Sequence, residues 1–273
     1  MPDPLLHVRR FHDPLDQEIA GLIGALFAYG RVDGVCRTVD TILQQLSPSP
    51  RAALLEGRHL QPEWGAGFRY RFNSRSDLCR LLEGVAGMLR QEGSLGRALA
   101  QRRRSAGDLA SALDLWVRDL RALSAGAGKM SPGLRFLLAE PGRGSACKRW
   151  WLYLRWMIRP ADGLDLGVWS KWLSPAELRV PLDAHWIRIG ARLGLTSRRT
   201  PDARMAAEIT DGLRALAPED PLRYDFAVCH LGISGRCPPR LRSEHCRVCP
   251  LRQICARGSA ASAAPPRHPR RRG

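Results

Sequence analysis

Four cysteines within 19 residues, Cys237, Cys246, Cys249 and Cys255, constrain this chain more than any other feature. Their C-x8-C-x2-C-x5-C spacing gathers the thiols in one compact loop, where they can converge on a single centre. Cysteines buried for packing alone behave as small apolar residues and scatter, as Cys36, Cys79, Cys147 and Cys229 do here. One tight group in a reducing compartment points to metal rather than disulfides. Thiolates are soft ligands that suit zinc or an iron–sulfur cluster. A zinc ribbon pairs two short C-x2-C knuckles across a longer spacer. This loop holds one knuckle, which favours a 4Fe-4S cluster and leaves zinc as the alternative.

The rest of the chain reads as helix after helix. Asp13 is placed to cap a helix, Pro14 to fill its first position, and Asp16 and Glu18 to face its dipole. Ile19, Leu22, Ile23 and Leu26 then recur on one face. Residues 76–90, with Leu78, Leu81, Leu82, Val85 and Leu89 as their stripe, and residues 108–123 repeat the pattern. Between them, Gly93, Gly96 and the run Gln101-Arg102-Arg103-Arg104 predict a turn and a solvated surface. Residues 46–70 show no clear period. Pro132 to Glu140 predicts a short helix, Pro141-Gly142-Arg143-Gly144-Ser145 a tight hairpin, and Ala146 to Ile158 a second helix stopped by Pro160. Residues 184–194, 202–216 and 221–232 predict three more. No strand alternation and no internal repeat stands out. The six tryptophans from Trp150 to Trp186 fit core positions, with a base-stacking pocket as the other reading.

Hydrophobic content of 44% and charged content of 25% are those of a folded globular chain. No stretch approaches the roughly 20 apolar residues of a membrane helix. Met1-Pro2-Asp3-Pro4 lacks the layout of a secretory signal, so a cytoplasmic, nucleoid-associated protein of bacterial type is expected. The formal net charge is +17, and five arginines beyond Ala256, unaccompanied by acids, leave +12 on the body. Such a body favours a polyanion, nucleic acid foremost, with RNA or ribosome binding as other outlets. The Ser, Ala, Pro and Arg composition from Gly258 predicts a disordered basic tail over 256–273. Of 43 basic residues, only Lys129, Lys148 and Lys171 are lysines. A lysine kept against such an arginine bias draws interest, because lysine alone can act as an amine nucleophile.

Three strings carry a resemblance to a known family. Cys229-His230-Leu231-Gly232-Ile233-Ser234-Gly235-Arg236-Cys237 and the cysteines after it are similar to the cluster loop of endonuclease III-type DNA glycosylases. That family has six residues between its first two ligands, against eight here. Val180-Pro181-Leu182-Asp183-Ala184-His185-Trp186-Ile187-Arg188-Ile189 resembles the segment that supplies the essential carboxylate in the helix-hairpin-helix (HhH-GPD) glycosylase superfamily, with Ala184 in place of threonine. It lies 54 residues before the cysteine cluster. Pro141-Gly142-Arg143-Gly144 resembles the family's hairpin, with Glu140 in place of leucine. The family's lysine follows that hairpin by two residues; Ala146 stands there, and Lys148 comes two positions later. The long interval from Lys148 to Asp183 looks closer to archaeal 8-oxoguanine DNA glycosylase. Asp13-Pro14-Leu15, Ala28-Tyr29-Gly30-Arg31 and Gly144-Ser145-Ala146-Cys147-Lys148-Arg149 are similar to strings of an uncharacterised bacterial family related to both.

The resemblance implies an all-α, two-lobed HhH-GPD-like fold: a helical body over 11–236, an iron–sulfur loop over 237–255, then the tail. It implies a base-excision repair glycosylase acting on double-stranded DNA with a damaged base, an oxidised purine by the lysine-to-aspartate interval. The expected enzyme is a monomer with no membrane partner. Asp183 is the implied catalytic carboxylate, placed to stabilise an oxocarbenium-like transition state, although an aspartate at a helix start can also be only an N-cap. Lys148 is the implied nucleophile of a Schiff-base AP-lyase step, or else an ordinary exposed helix residue. Cys237, Cys246, Cys249 and Cys255 are the implied cluster ligands. Gly142, Arg143, Gly144 and Ser145 are expected to meet DNA phosphate, with Arg188 bracing packing or touching phosphate. Tyr29-Gly30-Arg31 could reach into the duplex. The alternative function is a non-catalytic, iron–sulfur DNA-binding protein on the same scaffold, and a zinc-bearing RNA-binding or regulatory module is a third reading.

Overall fold

Asp13 accepts a hydrogen bond from the Leu15 amide at 2.8 Å, and Pro14 starts a helix behind it. Thirteen such α-helices organise a computed structural model that describes residues 3–126, 128–240 and 243–256. In chain order they are α1 (Leu5–Val8), α2 (Pro14–Leu26), α3 (Val32–Gln45), α4 (Pro50–Leu55), α5 (Arg75–Glu92), α6 (Leu95–Ala106) and α7 (Leu109–Ala125). Then follow α8 (Pro132–Leu137), α9 (Lys148–Ile158), α10 (Ala184–Arg192), α11 (Ala203–Leu216), α12 (Asp225–Ile233) and α13 (Ser243–Arg247). The fold is mostly helical, and no helix of the described residues is long and apolar enough to cross a membrane. The tail expected over 256–273 lies, beyond Ala256, outside the described residues.

Two expectations need correction. The stretch from Gly93 to Arg104 is not a turn followed by loop surface: Gly93 closes α5 at φ +74°, and Ser94 caps α6, which runs to Ala106. Gly96 is inside that helix because the Trp169 ring lies against it, where a Cβ would collide. Two short strands also occur, β1 (Arg69–Tyr70) and β2 (Asn73–Ser74), antiparallel with Tyr70 opposite Asn73. Two residues per strand are too few for an alternation to be read.

Helix α2 is buried on nearly every side from Ile19 to Leu26, as a helix apolar all round must be. It packs on α9, where Gly24 lets the Trp156 ring come close; a Cβ there would lie 3.4 Å from Cζ3. Its acids reach across to begin other helices. Asp16 accepts from the Arg51 amide (2.7 Å) and the Ser49 hydroxyl (2.8 Å) at the head of α4. Glu18 accepts from the Leu95 and Gly96 amides (2.8 and 3.1 Å), the Ser94 hydroxyl and the Trp169 indole (both 2.9 Å). Glu18 is buried, and that burial pushes its carboxyl up from the ordinary range. One continuous apolar core then runs from Leu5 to Val228. Trp150, Trp151, Trp156, Trp169 and Trp186 lie in it and Trp172 packs on its edge, so the tryptophans are mainly core.

Candidate active site

Asp183 caps α10 from an extended backbone conformation, and its Oδ1 accepts from the amides of His185 and Trp186, both at 2.8 Å. That satisfies two of the four orphan donors at a helix start. The second oxygen, Oδ2, faces the Cys229 thiol at 4.0 Å. Asp183 is half-buried, so the carboxylate is both held and reachable.

Cys229 is the meeting point of the site. Its sulfur lies 3.9 Å from Asp225 Oδ1 as well as near Asp183. Burial first, then the charges of Asp225 and Asp183, push its thiol far above the usual value; Arg155 and Lys148 pull weakly the other way. Cys229 therefore stays protonated at neutral pH, a weak donor between two carboxylates. Lys148 comes within electrostatic reach of this thiol as the first residue of α9. The residue before it, Cys147, is buried in the left-handed region at φ +46°. A non-glycine residue there costs roughly 1 kcal/mol. Strain of this kind collects where a turn must aim a side chain, here the turn that delivers Lys148.

Beneath the site lies a buried charge ladder. Asp225 accepts from Arg155 and from the Trp186 indole; Arg155 also pairs with Asp165 at 3.2 Å, and Arg159 bonds Asp165 and, at 2.9 Å, Asp220. Burial pushes the Asp225 carboxyl up while Arg155 opposes that shift. The ladder ties α9 to α12 and so sets where Cys229 and Asp183 meet. His185 packs on Gly232, where a Cβ would fall 2.7 Å from the ring Cγ.

The hairpin behaves differently from expectation. Pro141–Arg143 is a single 3-10 turn, and Gly144 follows at φ +81°. The Gly142 amide donates to the Asp114 carboxylate at 2.6 Å, and the Gly144 amide to the Pro141 carbonyl at 3.3 Å. Both N–H groups are thus engaged within the chain rather than turned to an outside anion. The Ser145 hydroxyl accepts from the Cys147 amide at 3.3 Å. The Arg143 side chain is 79% exposed, 3.3 Å from Glu140. Arg188 turns inward: it donates to the Cys237 carbonyl at 3.0 Å and approaches His185 Nδ1 at 3.1 Å.

At its other end α10 meets the cysteine loop. Cys237, Cys246, Cys249 and Cys255 line one cavity with Leu193, Leu231 and Leu251. Burial, then the neighbouring Cys255, Cys249 and Cys237, push the Cys246 thiol up. Arg192 donates to the Cys237 sulfur at 3.0 Å. Among the described residues, no three His, Cys, Asp or Glu side chains close on a point that would hold a single ion. The four-thiol donor set on the wall of an apolar cavity is a chemical fit to a multi-iron cluster.

Sequence reasoning missed the aromatic face beside Arg149, of which it had singled out only Tyr29. Tyr29, Phe72 and Phe136 pack ring on ring, Tyr29 to Phe136 at 4.9 Å and Phe72 to Phe136 at 4.7 Å. The Arg149 guanidinium lies 4.1 Å from the Phe136 ring centre. Phe72 is 50% and Phe136 39% exposed, with exposed Arg69 on β1 and exposed Arg71 preceding Phe72 on the β1–β2 turn. Cys229, Asp225 and Arg155 were missed too: Asp183 lies 46 residues from Cys229, and Arg155 lies 70 from Asp225. Arg192 was missed as well: it lies one helical turn beyond Arg188, and its partners, Cys237 to Pro239, come 45 to 47 residues later.

A family model described as Protein of unknown function (DUF2400) matches residues 3–234. The match takes in Asp183, Lys148 and Cys229 and stops short of the four-cysteine loop. Comparison with curated proteins and with solved structures gives no match.

Proposed function

The chain belongs to that family of unknown function, and from this premise we propose that it is a DNA base-excision glycosylase of the helix-hairpin-helix type, with Asp183 as its carboxylate. The observation that carries the reading is the two-ended helix α10. Its first residue follows a half-buried carboxylate with one oxygen left to a neutral thiol, and its last residue bonds a cysteine of the loop.

Asp183 stabilises the positive charge that develops on the sugar as the base departs. Where Lys148 acts, its amine attacks sugar C1′, the bond to the base breaks, and the base leaves with a proton. The amine's own surplus proton passes to a carboxylate; the sugar's C1′–O4′ bond then breaks, its oxygen taking that proton, and the Schiff base so formed permits strand cleavage. The exposed Phe72 and Phe136 with Arg149 and Arg71 supply stacking and charge for a base drawn from the duplex. Cys237, Cys246, Cys249 and Cys255 would hold a 4Fe-4S cluster. When bound, that cluster supplies a one-electron couple and a covalent anchor for the loop.

The test is incubation of anaerobically purified protein with duplexes carrying a panel of damaged bases, an oxidised purine first, followed by borohydride. Release of the base, lost in Asp183→Asn, supports the glycosylase. A covalent adduct lost in Lys148→Ala adds the lyase step, and release without an adduct removes Lys148 from it. DNA binding with neither release nor adduct across the panel overturns catalysis and leaves a non-catalytic DNA-binding protein.

A further inference from the structure

We propose that Arg192 is a positioning residue for the cluster: it fixes the Cys237 sulfur and sets the reduction potential of the group the four cysteines hold. This rests on the iron–sulfur reading of the loop.

Arg192 is 8% exposed, yet its guanidinium has no carboxylate partner among the described residues. The other two deeply buried arginines, Arg155 and Arg159, are each matched to aspartates. A buried charge without a counter-charge is costly. Among the described residues, the one side-chain group that Arg192 bonds is the Cys237 sulfur. Its Nη1 donates to Cys237 Sγ at 3.0 Å and to the Pro238 carbonyl at 2.8 Å, and its Nη2 to the Pro239 carbonyl at 2.7 Å. The planar fork thus grips three consecutive residues at the entry of the loop. Its own carbonyl lies 3.6 Å from Cys255 Sγ at the loop's exit. One residue therefore touches the first and last cysteines, by side chain and by backbone.

A cluster gains one negative charge when it is reduced. A fixed positive charge bonded to a ligand sulfur favours that state, and hydrogen bonds to sulfur raise the potential in the same sense. Wild type therefore holds its cluster at a higher potential than a variant with a neutral side chain at this position.

The intact chain and its Arg192→Gln and Arg192→Lys variants are purified anaerobically, assayed for iron and sulfide, and titrated potentiometrically with EPR detection. About four irons per wild-type chain is the starting expectation. Arg192→Gln shifts the reduction equilibrium about tenfold toward the oxidised form, about 59 mV for a one-electron couple. Arg192→Lys keeps the charge but not the fork, and moves the potential less in the same direction. Iron lost from Arg192→Gln, with a lowered potential in Arg192→Lys, also supports the proposal. Wild-type potential in every variant that retains iron overturns it and leaves the cluster reading intact. A wild-type chain with zinc, or without iron, overturns both.

Discussion

Asp183 and Asp202 cap consecutive helices, α10 and α11, from nearly the same backbone conformation: φ −114° and ψ −179° against φ −118° and ψ −177°. Residue type, geometry and capping role are matched, so what differs is what each carboxylate does beyond the cap. Asp202 uses both oxygens within the fold. Oδ1 accepts from the Met205 amide at 2.9 Å, and the two oxygens fork onto Arg198 at 3.2 and 2.6 Å. Asp183 loads two amides onto Oδ1 and leaves Oδ2 to a protonated thiol 4.0 Å away. A cap alone accounts for Asp202. It accounts for half of Asp183, and the remaining oxygen, facing the Cys229 thiol above a buried charge ladder, is the part that chemistry can use.

The sharpest way to break this contrast is Asp183→Asn. Asparagine keeps a capping oxygen, so the melting temperature should move by less than about 2 °C. Release of a damaged base should fall by at least about 10²-fold. A variant that melts normally and releases base at the wild-type rate would reduce Asp183 to a cap like Asp202. Next in size is Asp225→Ala, which strips Arg155 and the Trp186 indole of a buried partner. Denaturant unfolding should show a loss of about 3 kcal/mol; a change under 1 kcal/mol would mean that the ladder does not hold the site. Gly232→Ala drives a methyl into the His185 ring. It should cost about 1–3 kcal/mol and slow base release, since His185 shares the Asp183 cap. Asp202→Asn is the small control: Arg198 loses its charge partner at the surface, the melting curve shifts slightly, and base release is unchanged. Loss of activity there would erase the distinction between the two caps.

Both aspartates could be read from the sequence as helix starts, and Asp183 also from its string. Lys148 was legible because it is one of three lysines among 43 basic residues. The cysteine loop was legible from spacing. What was not legible depends on distant partners. Asp16 and Glu18 look like ordinary first-turn acids of α2, yet they cap α4 and α6. Gly96 looks like a breaker and is a helix residue because an indole comes from Trp169. Gly142 looks poised for phosphate, but Asp114, 28 residues earlier, takes its amide. Arg188 reads as bracing packing or touching phosphate, and the sequence does not show that it is the Cys237 carbonyl it holds. In each case the local pattern was silent about which distant side chain would arrive, and at Gly96 that arrival overturned the backbone reading as well.

The four donors around Glu18 have a consequence for synthesis of the chain. Glu18 is translated early, whereas its partners come 76 to 151 residues later, Trp169 last of all. Until that indole has left the ribosome, the most deeply placed acid of the central helix lacks part of its solvation shell. The N-terminal half therefore closes around α2 less firmly on its own. Ribosome-bound chains ending short of Trp169 should be cut readily by protease throughout residues 14–106. Chains that have also released Asp225 should resist, which makes maturation of this protein a late event governed by its middle.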